Sequence, residues 1–163
     1  MTDVYKGCIT WIEPIPESYV AEKFEVAARA LIVHEDRVLL VYEADTDTWF
    51  TPGGRLTPSE ELREACLREI DEETGLETTL GELVAVFNVM MPRNGYIGNK
   101  LEFIFAATPV TAPDFVERDH VDSDQSGPVV SKLRWFTEKE VKALPRVFPD
   151  FLRNWPDLLE RAA

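Results

Sequence analysis

The chain has 163 residues, enough for one domain with a full core, and its 45% hydrophobic content is ordinary for a soluble globule. A net charge of −13 speaks against a nucleic-acid polymer as partner, because no basic stripe is available to neutralise phosphates. No apolar N-terminal run follows a basic segment, no stretch reaches membrane-spanning length, and Cys8 and Cys66 are too few for a disulfide framework, so a cytoplasmic protein is expected.

Residues 1–23, with Pro14 and Pro16, read as an irregular or edge-strand lead-in. Apolar runs over 25–34 and 37–43, around Glu35-Asp36, predict a hairpin. A short strand at 48–51 enters the glycine pair Gly53-Gly54, where a backbone without Cβ turns sharply and comes close to a ligand. A helix follows. Thr57 is its expected N-cap, Pro58 its first helical position and Glu60 the partner completing a capping box, with Gly75 as the stop. Beyond it, strands are expected at 82–91 and 100–108, with the turn at 94–99. A proline- and acid-rich loop spans 109–128. A strand at 132–136 precedes helices near 138–144 and 149–161, the last one broken or kinked by Pro156. There is no internal repeat and no second domain, so the expectation is one mixed α/β domain over 1–163.

The helix carries the chemistry. Leu62, Ala65, Cys66 and Ile70 recur at helical spacing and mark its buried stripe. Glu69 and Glu73 project within that stripe and Glu72 lies at its edge, whereas Arg63, Glu64 and Asp71 avoid it. Glu72 and Glu73 also sit beside the negative end of the helix dipole. Acids crowded at i, i+3 and i+4 repel one another unless a cation neutralises them, and hard oxygen ligands suit Mg²⁺ or Mn²⁺. Two of these side chains have a second explanation: Glu60 through the capping box, and Arg68 through i±4 pairing with Glu64 or Glu72.

Gly54, Glu60 and the run Arg68-Glu69-Ile70-Asp71-Glu72-Glu73-Thr74-Gly75-Leu76 match the spacing of the Nudix box, and the chain resembles the Nudix hydrolase family. The approach Trp49-Phe50-Thr51-Pro52-Gly53-Gly54 and the later Lys132-Leu133-Arg134-Trp135-Phe136 are similar too, so the likeness covers roughly residues 25–145. It implies an α/β/α sandwich with a mixed β-sheet. It also implies metal-dependent hydrolysis of a nucleoside diphosphate linked to another moiety: a nucleoside triphosphate, ADP-ribose or a nucleotide sugar. Glu69, Glu72 and Glu73 map onto the family's metal ligands, Glu60 onto an occasional further one, and Arg68 onto the box arginine that orients a carboxylate. Glu69 and Glu73 are candidate general bases within the box. Glu117, in the 109–128 loop with His120 and Asp124, is the candidate lid base; a solvated acidic loop is the other explanation. Gly53, Gly54 and Arg55 are expected at the phosphates, with Arg29, Arg37, Arg93 and Lys100 as further contacts, and Phe105 as a base-stacking ring unless it belongs to the core. Pro92, sixteen residues past Leu76, stands near the proline offset of ADP-ribose-type enzymes.

Two rival readings are a non-catalytic sensor of nucleotide metabolites and an isopentenyl diphosphate isomerase-like enzyme, which would need a pocket cysteine. A homodimer is the assembly common among similar enzymes.

Overall fold

A computed structural model describes residues 5–10, 20–93, 96–115, 117–122 and 129–162. In chain order it holds β1 (Tyr5–Thr10), β2 (Val20–His34), β3 (Arg37–Glu43), β4 (Thr48–Phe50), β5 (Gly53–Arg55), α1 (Leu62–Thr74), β6 (Thr78–Arg93), β7 (Tyr96–Pro109), β8 (Arg118–Asp122), β9 (Val129–Thr137), α2 (Glu138–Ala143), β10 (Val147–Phe148), a 3-10 turn (Asp150–Asn154) and α3 (Trp155–Ala162).

The strand β2 joins two groups of strands. Along one edge it runs parallel to β7, with Arg29 opposite Ile104; β7 pairs antiparallel with β6, and β6 pairs in parallel with β1. Its other edge is divided. Residues Ala27 to Arg29 take β5, while Val33 and His34 turn into β3 through Glu35, whose φ is 53°. Strand β3 carries β4 and then β10 on one side, β9 and then β8 on the other. The sheet is mixed, as expected.

Successive side chains point to opposite faces of a strand, and here both faces are buried. Ala28, Ala30, Ile32, Leu39, Val41, Phe105, Leu133 and Trp135 pack with Cys66 and Ile70 of α1. Their neighbours Leu31, Val38, Leu40, Ile104 and Phe136 pack the other way, with Val141, Leu152, Trp155 and Leu158. The result is an α/β/α sandwich. Among the described residues no helix is long and apolar enough to cross a membrane.

Several boundaries differ from the sequence reading. Helix α1 begins at Leu62, with Glu61 as N-cap, and the Glu61 amide donates to the Glu64 carboxylate at 3.3 Å. Thr57 and Glu60 instead close their own turn: the Glu60 amide donates to the Thr57 carbonyl, and the Thr57 amide to the Glu60 carboxylate at 3.0 Å. Thr57 therefore caps no helix. Gly75 does end α1, in the left-handed conformation, its amide donating to Asp71. Strand β7 already includes Tyr96 to Asn99, which shortens the expected turn, and β8 stands inside the expected 109–128 loop. The helix expected over 149–161 is broken into the 3-10 turn and α3, with Pro156 as the second residue of α3, where a missing amide costs no helical hydrogen bond. Pro14, Pro16, Asp124 and the side chains of Cys8, Pro92, Arg93 and His120 lie outside the described residues.

Candidate active site

The glycine loop and α1 interlock because two positions lack a Cβ. Gly53 has φ 132°, and a Cβ there would stand 2.4 Å from the Ala28 carbonyl oxygen. A Cβ on Gly54 would stand 2.4 Å from Oε2 of Glu69. The helix carboxylate thus occupies the space that the missing side chain leaves. One turn further along α1, Glu73 Oε2 accepts the Gly53 amide at 2.8 Å.

Arg68 gathers the remaining acids. Its Nε donates to Glu60 Oε1 at 2.5 Å and its Nη2 to Glu60 Oε2 at 3.0 Å, a forked pair. Its Nη1 donates to Glu69 Oε1 at 2.9 Å and to Glu72 Oε2 at 2.8 Å, and its Nη2 also reaches the Arg55 carbonyl at 3.2 Å. Hydrogen bonds from Arg68 and the Thr57 amide hold the Glu60 carboxyl down to about 2. Burial pushes Glu69 the other way, above its ordinary value, against the opposing pull of Arg68. Arg68 itself is raised, first by its bond to Glu60.

Glu60, Arg68, Glu69, Glu72 and Glu73 are therefore brought together against Gly53 and Gly54. Arg55 stands at the rim, its side chain 64% exposed and its guanidinium 3.0 Å from Glu25. Two expected site residues are elsewhere. Phe105 is 5% exposed within the α1 core, and the Arg63 guanidinium lies 5.2 Å over its ring, so its face is not open to a base. Glu117 immediately precedes β8 and pairs with Arg134 of β9 at 3.9 Å. Its neighbour Arg118 points the other way and donates to the Thr74 carbonyl at the end of α1. The Glu117 carboxylate thus meets β9, while Arg118 meets the end of the box helix. The preceding segment is also pinned, since Phe115 packs edge-on against Trp135 with ring centroids 5.6 Å apart.

Of the expected phosphate contacts, Arg37 pairs with Glu140 at 3.7 Å and lies over Phe115, and Lys100 is buried beside Glu102. Arg29 reaches under the glycine loop, its Nη1 donating to the carbonyls of Thr51 and Gly53 and its Nε to Glu102 at 2.6 Å. Burial lowers the Arg29 guanidinium, but Glu102 and Glu73 more than offset that, and the net shift is upward. Sequence reasoning missed Glu102. The available signal was period two in β7, which puts Lys100 and Glu102 in line with the buried Ile104.

The acids fit a hard divalent cation in donor chemistry. Glu60, Glu69 and Glu72 all accept from one guanidinium, which gathers their oxygens in one place, and Glu69 is held in a cradle at Gly54. Their present arrangement is organised around Arg68: among the described residues no three metal-binding side chains meet in ligating geometry.

A family model described as the NUDIX domain matches residues 23–155. The chain is 32% identical over 132 residues to diphosphoinositol polyphosphate phosphohydrolase 3-alpha of Mus musculus, covering 78% of this chain and 73% of that protein. It is 27% identical over 112 residues to the uncharacterized Nudix hydrolase YvcI of Bacillus subtilis (strain 168), covering 68% of this chain and 65% of that one. Among solved structures, a NUDIX hydrolase from Nitrosomonas europaea superposes with a TM-score of 0.61 at 26% identity, over 85% of this chain and 88% of that chain.

Proposed function

This chain belongs to the NUDIX domain family, and from that premise we propose that it is a metal-dependent pyrophosphohydrolase that cleaves the diphosphate linkage of a nucleoside diphosphate joined to another moiety. One observation carries the reading: the carboxylates of Glu69 and Glu73 are seated on Gly54 and Gly53, beside a rim that offers Arg55. Glu69, Glu72 and Glu73 would hold Mg²⁺ or Mn²⁺, with Glu60 as a further donor. When bound, such an ion supplies charge neutralisation at the phosphates and acidifies attacking water.

The chain's own groups do the rest. Gly53 fixes the direction of the Glu73 carboxylate through its amide, and Arg68 fixes Glu60, Glu69 and Glu72. Arg55 meets phosphate oxygens as an exposed cation. Glu69 takes the proton of the attacking water as general base. Glu73 is the other candidate base. The substrate is drawn from nucleoside triphosphates, ADP-ribose and nucleotide sugars. The name of the mouse relative supports a second reading, a diphosphate carried on an inositol polyphosphate. Cys66, fully buried with its thiol pushed up to about 12 by burial, does not supply the pocket cysteine that an isomerase requires. The proposal includes a cytoplasmic location and a homodimer.

Product analysis across nucleoside triphosphates, ADP-ribose, nucleotide sugars, dinucleoside polyphosphates and a diphosphoinositol polyphosphate, with Mg²⁺, Mn²⁺ or EDTA, tests the reading. Cleavage of one class that EDTA abolishes is the expected result, and silence across the panel would favour a sensor. Glu72→Gln and Glu73→Gln should each lower kcat by about 100-fold or more, since even outer partners of a metal site are worth roughly 10–100-fold. Near-wild-type turnover in both variants would remove the metal site.

A further inference from the structure

The proposed reaction leaves unused a line of charge beneath the glycine loop. Arg29 is on β2, Glu102 and Lys100 are on β7, and all three side chains are turned inward. Glu102 is 2% exposed, 2.6 Å from Arg29 Nε and 3.5 Å from Lys100 Nζ. Burying such charges is costly, and apolar residues of similar volume commonly serve stability as well or better. What the line provides is a rigid fork. Arg29 Nη1 donates to the Thr51 carbonyl at 2.8 Å and to the Gly53 carbonyl at 2.9 Å, and the Ala30 amide holds the intervening Pro52 carbonyl at 2.9 Å. Three successive carbonyls of the loop are thus tied to two successive residues of β2.

Gly53 links this bracing to the helix. Its carbonyl accepts from Arg29, and its amide donates to Glu73 Oε2 at 2.8 Å. Its φ of 132° is one that glycine adopts readily and side-chain-bearing residues rarely do. Pairing of β5 with β2, Gly53 opposite Arg29, holds one edge of this backbone, and the Arg29 fork adds side-chain bonds to the Thr51 and Gly53 carbonyls. We propose that Arg29, braced by Glu102, is a positioning residue: it sets the Gly53 peptide so that the amide holds the Glu73 carboxylate in the orientation used for hydrolysis. The inference rests on the hydrolase reading for the last step only. A lysine keeps the charge but lacks the planar fork that meets two carbonyls and a carboxylate together.

The test compares Arg29→Lys, Glu102→Gln, Glu73→Gln and the double variant Arg29→Lys/Glu73→Gln. The Gly53 amide resonance in ¹H–¹⁵N spectra is followed alongside Tm, kcat and KM. In Arg29→Lys the Gly53 amide should move toward its position in Glu73→Gln, while Tm stays within a few degrees. On whichever substrate the panel identifies, kcat should fall about 10- to 100-fold with KM nearly unchanged. Added to Glu73→Gln, the lysine should lower kcat little further, because both changes act on one contact. Should Arg29→Lys fail to fold, Glu102→Gln carries the same comparison with a side chain of nearly the same shape. A Gly53 amide unmoved in the folded variants, or losses that multiply in the double variant, would overturn the proposal. The spectrum needs no substrate. A displaced amide without any turnover therefore supports the coupling and counts against hydrolysis alone, whereas an unmoved amide with intact turnover counts against the coupling alone.

Discussion

Glu60 and Glu69 bind the same guanidinium and respond in opposite directions. At Glu60 the bonds from Arg68 and the Thr57 amide dominate and lower the carboxyl from 4.5 to about 2. At Glu69 burial dominates, since its carboxylate lies against Gly54, and the shift is upward. The sign for stability follows from linkage. A carboxyl whose folded value is depressed contributes stability that is present above its ordinary value and is lost as pH falls toward the folded one. In EDTA, the Tm of the wild type should therefore fall between about pH 4.5 and pH 2 more steeply than that of Glu60→Gln, with the two profiles parallel above about pH 5.5. Calorimetry or circular dichroism across that range checks it, and superimposable profiles would remove the Glu60–Arg68 coupling. Arg68 was legible in the sequence as an i,i+4 partner of Glu72, and that pair is present. Its forked bond to Glu60 joins α1 to a turn outside the helix, so helical spacing carried no trace of it.

Between elements, what matters is the fit of α1 against the glycine loop. Gly54→Ala would place a methyl within 2.4 Å of Glu69 Oε2, and the carboxylate would have to leave its position. The expected cost is about 1–3 kcal/mol of stability, together with loss of turnover. Denaturant midpoints and kcat measured on the same preparation check both, and an active variant of unchanged stability would show that the carboxylate position is dispensable. Helix α1 was readable from its apolar period and its terminal glycine because those are contacts within a few residues. Its start was misplaced because Thr57-Pro58 and Glu60 are capping residue types that here serve a separate turn. Strand β8, Arg118–Asp122, escaped detection since Arg-Asp-His-Val-Asp lacks the apolar alternation of a strand. Once β8 is paired with β9, Arg118 reaches the end of α1, while Glu117, just before the strand, pairs with Arg134 of β9.

Across the whole molecule, two apolar layers hold the sheet between α1 and the C-terminal helices. Leu152, 1% exposed, lies in the layer away from the box helix. Leu152→Ala should cost about 2–5 kcal/mol and lower Tm by roughly 5–15 °C, with kcat unchanged well below the transition. Thermal melts beside turnover at 20 °C or so test it, and a variant that melts normally but has lost turnover would contradict the division of roles between the layers. The mixed α/β class, the β2–β3 hairpin, the box helix and its inward carboxylates could be read from the sequence alone, because each rests on spacing within one element or on neighbouring elements. The tertiary structure decided the rest: the burial of Phe105, the ion pair of Glu117 with Arg134, and the bond between Arg29 and Glu102, which are 73 residues apart. The physical reason is range. Periodicity records which face of an element is apolar, but which partner meets that face, and which buried charge finds its counter-ion, depends on strand register and layer packing that no single segment encodes.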